Sequence, residues 1–223
     1  KELQGRRIIK IINNPKDNWS EQDTNKVRNF IENYKDNDIP EDRKKTILIA
    51  SSWGLKGCFR VYGSNFIKKL SSKDYNIILR PHPQSYISEL SFIKNFKKQF
   101  KNKNNVFWDN SPSPSKSMNK SNILISDSSS IRFDFSFIYE RPVITLKIKK
   151  SNMDEFENKY INSTWEENAE KIIGKVIYKE ELESLNEIIE KYFLNFDSNK
   201  IKKFRNKTFY KFSESGKSIS NQF

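Results

Sequence analysis

The sequence has very few of the residues that form disulfides and bind transition metals. One cysteine, Cys58, and one histidine, His82, occur among its 223 residues. A single cysteine cannot form an internal disulfide, which is typical of proteins in a reducing compartment. One cysteine and one histidine also fall short of the ligand set that zinc usually requires. We therefore predict no disulfide framework, no metal site and a cytoplasmic location.

Long apolar runs and common recognition signatures are absent as well. No apolar run is long enough to span a membrane, and the pattern of a signal peptide does not occur. The aromatic signatures of the usual RNA-binding modules are missing, so nucleic acid is not an expected partner. The chain begins at Lys1 rather than at a methionine, and we therefore expect it to be a piece of a longer protein.

Positive charge is in excess. The chain carries 41 Lys and Arg against 28 Asp and Glu, a net charge of +13, which implies an acidic partner such as a nucleotide, an anionic polymer or a lipid headgroup. Most lysines are spread thinly and mark no single patch. The tail from Asn199 has a higher density of basic residues, and aromatic residues lie between them. Such a tail can bind a membrane surface or single-stranded nucleic acid, although a solvated helix with one packed face is commoner.

Strands and helices alternate along the sequence. Short apolar runs predict strands at residues 46–50, 75–79, 105–108 and 123–125 and after Pro142. Apolar residues at helical spacing predict helices at 59–70, 84–100, from 131 onward, 164–176 and 180–194. This alternation predicts an α/β fold, a Rossmann-like parallel sheet with helices on both faces.

The chain is expected to form one compact domain with extensions. Residues 1–45 predict a leading linker and an amphipathic helix, which a capping pattern at Ser20 and Asp23 introduces. Residues 46–150 are expected to form the nucleotide-binding core. Residues 151–223 are expected to form closing helices and a basic tail of the same domain.

A strand, a serine-rich turn and a helix follow one another at NILISDSSSIRFDF. The turn comprises Asp127, Ser128, Ser129 and Ser130. It places hydroxyl groups and the free N–H groups of a helix start at the carboxyl end of a strand, where open α/β sheets bind ligands and where the helix dipole favours anions. Asp134 lies four residues after Ser130 on the same helix face and can anchor the turn or accept a hydrogen bond from a sugar hydroxyl. We predict a phosphate site here.

Two other strand ends carry polar groups. The turn R-P-H-P follows the second strand, and its prolines stiffen the backbone around Arg80 and His82, so that both side chains are expected to project from it. The planar guanidinium of arginine can donate two parallel hydrogen bonds to a phosphate, and a histidine beside a phosphate can hold a proton. The turn after the first strand offers Ser51 and Ser52, but it matches neither G-x-G-x-x-G nor the P-loop. If the sheet is parallel, all these residues share one edge.

A purely structural interpretation stays open for each of these features. Asp127 or Ser128 could simply cap the helix, and His82 could be an ordinary exposed loop residue. No Ser-His-Asp triad can be argued without geometry. The placement of all these groups at successive strand ends favours a binding site.

Three segments together resemble the CDP-glycerol glycerophosphotransferase family, the teichoic-acid and capsule polymerases. ILRPHPQS matches a recurrent R-P-H-P segment, and NILISDSSSIRFDFSFIYERPVITL matches a segment of the form S-D-x-S-S/G-x-x-x-D-F. TILIASSWG is similar to a family strand that ends in Thr-Trp or Ser-Trp. The likeness extends from about Thr46 to Leu146 and more loosely into the tail.

The resemblance implies a GT-B-like architecture in which this chain is the carboxyl-terminal, donor-binding half. It implies that His82, Ser128, Ser129 and Asp134 face the diphosphate and the glycerol end of the donor. The family's first domain, which carries another essential histidine and much of the acceptor surface, has no counterpart here. The implied partners are a CDP-activated donor as substrate with no separate cofactor, a polymer or lipid-linked acceptor, and the missing domain. Little turnover is therefore expected from this chain alone.

Two other functions remain open from the sequence. One is a GT-B sugar transferase that uses CMP-sialic acid or another nucleotide sugar, since bacterial polysialyltransferases also use His-Pro and Ser-Ser elements. The other is a non-catalytic module that binds polyanions, whose affinity would fall steeply with salt. Within the transferase prediction, His82 and Asp134 are the catalytic candidates. His82 is predicted to stabilise charge on the donor phosphates rather than to act as the base.

Overall fold

The computed structural model of the protein describes residues 44–147 and 165–209. The amphipathic helix predicted within residues 1–45 lies outside this part, and so does the tail from residue 210. The strands are β1 (Thr46–Ala50), β2 (Asn76–Arg80), β3 (Val106–Trp108), β4 (Ile123–Ser126), β5 (Val143–Leu146) and β6 (Gly174–Ile177).

Helices connect most of these strands. They are α1 (Cys58–Tyr62), α2 (Asn65–Ser71), α3 (Ser85–Ser88), α4 (Leu90–Lys98), α5 (Ser115–Lys120), α6 (Ile131–Tyr139), α7 (Trp165–Ile173), α8 (Leu185–Leu194) and α9 (Asn199–Thr208). A 3-10 helix, Lys179–Ser184, precedes α8.

All six strands are parallel, in the order β3-β2-β1-β4-β5-β6. The chain builds outward from β1 to β3, then returns to the other side of β1 and builds outward again to β6. The order reverses between β1 and β4, so this is the topological switch point, the place where open α/β sheets bind ligands. The predicted Rossmann-like fold class is confirmed.

Apolar residues on both faces of the sheet explain why β1, β2, β4 and β5 are buried along their whole length. Within β1, Ile47 and Ile49 pack in one cluster with α1, α2, α4 and α8, whereas Leu48 packs on the other face. Met118, Phe135 and helices α7 and α9 cover that second face. Parallel sheets need such a double cover because helical crossovers lie on both sides.

Several predicted element boundaries are wrong. The helix predicted at 164–176 ends at Ile173, and Gly174 opens the sixth strand instead. A Cβ atom at Gly174 would lie 1.8 Å from the Val143 carbonyl oxygen, so only glycine permits this close strand pairing. The helices predicted at 59–70 and 84–100 are each divided, at Gly63 and at Glu89. The first part of the predicted helix 180–194 is a 3-10 helix.

Candidate functional site

The strand ends that precede the predicted site residues lie together at the carboxyl edge of the sheet, on both sides of the switch point. The Ser126 hydroxyl at the end of β4 donates to the Ala50 carbonyl of β1 at 2.7 Å. The Ser51 N–H donates to the Arg80 carbonyl at the end of β2 at 3.1 Å. The expectation that the ends of these three strands share one edge is therefore confirmed.

Asp127 joins the loop after β1 to the serine turn. Its side chain is almost fully buried, and its two oxygens accept hydrogen bonds from three backbone N–H groups. These donors are Ser52 at 2.9 Å, Cys58 at 2.7 Å and Ser129 at 3.2 Å. A carboxylate so occupied cannot bind a phosphate of like charge. We therefore assign Asp127 to bracing the site, and not to the phosphate contact that the sequence suggested.

Two neighbours of this brace also face the interior. The Ser51 hydroxyl donates to the Ser52 carbonyl at 2.8 Å and accepts from the Phe59 N–H at 3.3 Å. Burial, and next the charge of Asp127, raise the pKa of the Cys58 thiol, so it stays protonated. Neither Ser51 nor Cys58 is placed to meet a ligand, and only Ser52 of the predicted serine pair is partly exposed.

The serine turn presents its hydroxyl groups to solvent. Ser128 and Ser130 are exposed and Ser129 is partly exposed, directly before α6. Within residues 44–147 and 165–209, no hydrogen-bond partner is found for any of the three hydroxyls, and Ser130 does not cap α6 with its side chain. These groups and the first amides of α6 form a set of donors where the helix dipole favours an anion.

A buried arginine, Arg132, supports the serine turn from the protein interior. Arg132 is 1% exposed, and its Nε donates to the Ser129 carbonyl at 2.9 Å. Its guanidinium pairs with Glu170 at 2.5 Å, and Glu170 also binds Lys147 at 2.9 Å. Burial alone would raise the pKa of Glu170, but these two cations lower it. Sequence reasoning missed this network, although a charged residue in the mostly apolar start of α6 was a possible signal.

Arg80 does not project from its turn as predicted. It is the last residue of β2 and is 6% exposed, and its guanidinium pairs with Asp109 at 2.6 Å and reaches the Ser111 hydroxyl at 3.4 Å. Asp109 follows β3, whose Trp108 pairs with Leu79, so the two charges come side by side at one sheet edge. An aspartate directly after the third strand was the available signal.

His82 is exposed on the turn after β2, as predicted. Its Nδ1 accepts a hydrogen bond from the Gln84 backbone N–H at 3.0 Å, so in the neutral ring Nε2 carries the hydrogen and can donate it. Burial of part of the ring, and next the charge of Arg80, lower the pKa of His82, whereas Asp127 raises it. The turn of His82 follows β2 and the serine turn follows β4, so the two turns lie at the same sheet edge with β1 between their strands.

Asp134 lies in the first turn of α6, and its N–H donates to the Ser130 carbonyl at 3.4 Å. Its side chain has solvent-exposed surface, yet crowding around the carboxylate desolvates it and raises its pKa. Among the described residues no hydrogen-bond partner is found for this carboxylate. Asp134 therefore does not anchor the serine turn, and it is free to accept a hydrogen bond from a ligand hydroxyl.

The described residues show neither a metal-binding cluster nor a membrane-spanning helix. Across residues 44–147 and 165–209, no group of three or more His, Cys, Asp or Glu could hold a metal ion. No helix in the same ranges is long and apolar enough to cross a bilayer.

Solved structures with a similar fold include several transferases. A glycosyltransferase from Rickettsia africae ESF-5 is 19% identical, with a TM-score of 0.49, and the match covers 82% of this chain and 45% of that protein. The lipopolysaccharide outer core galactosyltransferase WaaB is 12% identical, with a TM-score of 0.47, and the match covers 82% of this chain and 51% of WaaB. This chain therefore spans about half the length of the structures it matches.

Sequence comparison gives a more specific result. No curated protein matches the chain. The family model of CDP-glycerol:poly(glycerophosphate) glycerophosphotransferase, however, matches residues 16–220. This match includes the R-P-H-P turn, the serine turn and the strands that carry them. The chain therefore belongs to the CDP-glycerol:poly(glycerophosphate) glycerophosphotransferase family.

Proposed function

We propose that this protein is the donor-binding part of an enzyme that transfers polyol phosphate from CDP-glycerol or a related CDP-polyol to a teichoic-acid or capsule polymer. The observation that carries the proposal is the serine turn at the switch point. Its three hydroxyls have no partner among the described residues, and they lie with the first amides of α6 at the same sheet edge as the turn that carries His82. Family membership supports a transferase, and this group of donors suits a diphosphate.

The proposed reaction is attack by an acceptor hydroxyl on the β-phosphorus of the donor. A new O–P bond forms to the acceptor, the bond between the β-phosphorus and the bridging oxygen breaks, and CMP leaves with the electron pair. The hydroxyl proton passes to a base outside the described residues. Ser128, Ser129, Ser130 and His82 stabilise the charge that develops on the phosphate oxygens.

Asp134 is proposed to bind the polyol end of the donor. Asp134 is four residues beyond Ser130, a rise of about 6 Å along α6, so its carboxylate follows the proposed phosphate site by about one helical turn. A carboxylate is suited to accept hydrogen bonds from polyol hydroxyls.

The acceptor is proposed to reach this protein from a membrane surface. The described helix α9 carries Lys200, Lys203 and Lys207 on exposed positions, which suits a peripheral location at the inner face of the cell membrane.

A panel of nucleotides tests the donor class. We expect CDP-glycerol or CDP-ribitol to raise the melting temperature more than CMP, CMP-sialic acid or UDP-sugars, because only the CDP-polyols combine cytidine with a polyol diphosphate. A ligand at 100 times its Kd stabilises the folded state by about 2.7 kcal/mol. Preferential stabilisation by CMP-sialic acid would favour the sugar transferase instead. If any polyanion stabilised the protein, and if added salt abolished that stabilisation, the non-catalytic polyanion-binding module would be favoured.

The serine hydroxyls give a second prediction. Replacing Ser129 and Ser130 together with alanine is expected to weaken CDP-glycerol binding about 30-fold or more, since each of the two lost charge-assisted hydrogen bonds costs about 1 kcal/mol or more. The melting temperature of the free protein should stay nearly unchanged because neither hydroxyl has a partner in the described structure. Calorimetric titration and thermal unfolding measure the two effects.

Ser88 offers a control for this pair. It is also exposed, but its hydroxyl bonds the Gln84 carbonyl within α3. Ser88→Ala should leave nucleotide binding unchanged. If the Ser129 and Ser130 variant lost folding while its remaining folded fraction bound normally, the turn would be a structural cap and not a phosphate site.

A further inference from the structure

A carboxylate outside the predicted site connects two of its loops. Glu89 lies between α3 and α4, and its side chain is 9% exposed. Its Oε2 accepts the Gly54 backbone N–H at 2.9 Å and the Ser85 hydroxyl at 3.1 Å. Its Oε1 pairs with Arg60 Nε at 2.5 Å. Burial alone would raise the pKa of Glu89, but these three partners lower it and keep the carboxylate ionised.

The two partners of Oε2 belong to different ligand-facing loops. Gly54 lies in the loop after β1 with φ of +84°, a backbone conformation that favours glycine. Ser85 opens α3, and its N–H donates to the His82 carbonyl at 2.9 Å. Glu89 therefore connects the β1 loop to the turn that carries His82.

Asp127 makes the equivalent connection on the other side. It holds the same β1 loop through the Ser52 N–H and the serine turn through the Ser129 N–H. The β1 loop is thus held at two points, by Asp127 toward β4 and by Glu89 toward β2. Oδ1 of Asp127 accepts from both loops, from the Ser52 and Ser129 N–H groups at 3.2 Å each, as Oε2 of Glu89 accepts from Gly54 and Ser85.

We propose that Glu89 is a positioning residue that sets the place of His82 relative to the serine turn. It acts through Ser85 and Gly54 and touches no ligand itself. Its importance for donor binding rests on the proposed function. A misplacement of about 1 Å at a reacting group can lower activity on the order of 100-fold. The hydrogen bonds of Glu89 to the two loops can therefore affect activity although Glu89 itself does not touch the ligand.

The single histidine allows a test that needs no donor. Because His82 is the only histidine of the chain, its Cε1–H group gives a single signal of its kind, and NMR relaxation of that group reports the order of this ring directly. On the order-parameter scale used for backbone groups, about 0.85 marks a rigid group and below about 0.6 a flexible one. We expect Glu89→Ala and Ser85→Ala to lower this parameter markedly.

Two variants separate the loop connection from the ion pair. Glu89→Gln keeps an oxygen that can accept from Gly54 and Ser85. Arg60→Gln removes the ion pair on Oε1 and the contact of Arg60 with the Phe92 ring, but leaves both hydrogen bonds to Oε2 in place. Both are expected to keep the ring order of the wild type, even if they lose some thermal stability. If Arg60→Gln loosened His82 as much as Glu89→Ala, the positioning role would be wrong.

Binding of CDP-glycerol gives the second readout. Its Kd should rise about tenfold in Ser85→Ala and Glu89→Ala and stay within about twofold in Arg60→Gln. If Glu89→Ala does not fold, Ser85→Ala decides the test alone, and an unchanged ring order in that variant would overturn the proposal. If the wild type binds neither CDP-glycerol nor CMP, the proposed function fails, whereas the ring measurement still decides the role of Glu89.

Discussion

Replacing Asp127 with alanine is expected to destabilise the protein by about 3–5 kcal/mol, because the buried Cys58 N–H and the part-buried N–H groups of Ser52 and Ser129 lose their acceptor. Each unsatisfied buried donor costs about 1–3 kcal/mol, and the domain as a whole is expected to have only about 5–15 kcal/mol of stability. Asp127→Asn keeps one oxygen but turns an amide NH2 toward another N–H, so it should lose nearly as much. Urea unfolding monitored by circular dichroism measures both changes.

Asp74 is the matched control for this prediction. It is an aspartate whose side chain is 84% exposed and pairs with Lys44 on the surface, so Asp74→Asn should change stability by less than about 0.5 kcal/mol. If Asp127→Ala kept full stability and lost only nucleotide binding, Asp127 would be a ligand residue, as its sequence position suggested. The bracing role assigned here would then be wrong.

The sequence predicted the fold well because its signals are local. Buried strands such as TILIA and ILIS are short apolar runs, and serines or prolines mark where they end. These signals predicted five of the strands and placed the serine turn and the R-P-H-P turn at one sheet edge. The sixth strand was missed since its residues, Gly174 to Ile177, continue the apolar spacing of α7. Only the close approach of Gly174 to Val143 shows why the chain must extend there.

The roles of the charged residues could not be predicted in the same way. Arg80, Asp127 and Arg132 all lie where a ligand contact would be expected, yet each has a partner that is distant in the sequence. Asp109 neutralises Arg80 across neighbouring strands, and Glu170 neutralises Arg132 from α7. A buried charge needs such a partner, and single-sequence patterns do not reveal which one it is. The serines and His82, which lack charged partners in the described residues, remain as the groups available to a ligand.

Replacing His82 with alanine is expected to weaken donor binding about tenfold and to lower turnover of the full-length enzyme about 100-fold or more, as for other groups that stabilise transition-state charge. In the free protein the ring is neutral at pH 7, because burial and Arg80 lower the pKa of His82. Protonation at Nδ1 would also give up the Gln84 hydrogen bond, worth about 1 kcal/mol. The attraction between protonated His82 and a phosphate charge about 4 Å away is about 4 kcal/mol near a protein surface before salt screening. This attraction is larger than the opposing effects, so bound diphosphate should raise the pKa of His82.

Donor binding should therefore take up a proton at His82. Since the pKa is higher in the complex than in the free protein, affinity is greatest below the free-protein pKa. It falls as pH rises toward the pKa of the complex and is level above it. Calorimetric titration of CDP-glycerol at several pH values measures this slope, which should vanish in His82→Ala. His82→Gln, which keeps a hydrogen-bond donor without a charge, should recover part of the affinity but none of the slope. If His82→Ala bound the donor with wild-type affinity at every pH while the full-length enzyme lost turnover, His82 would instead be the general base.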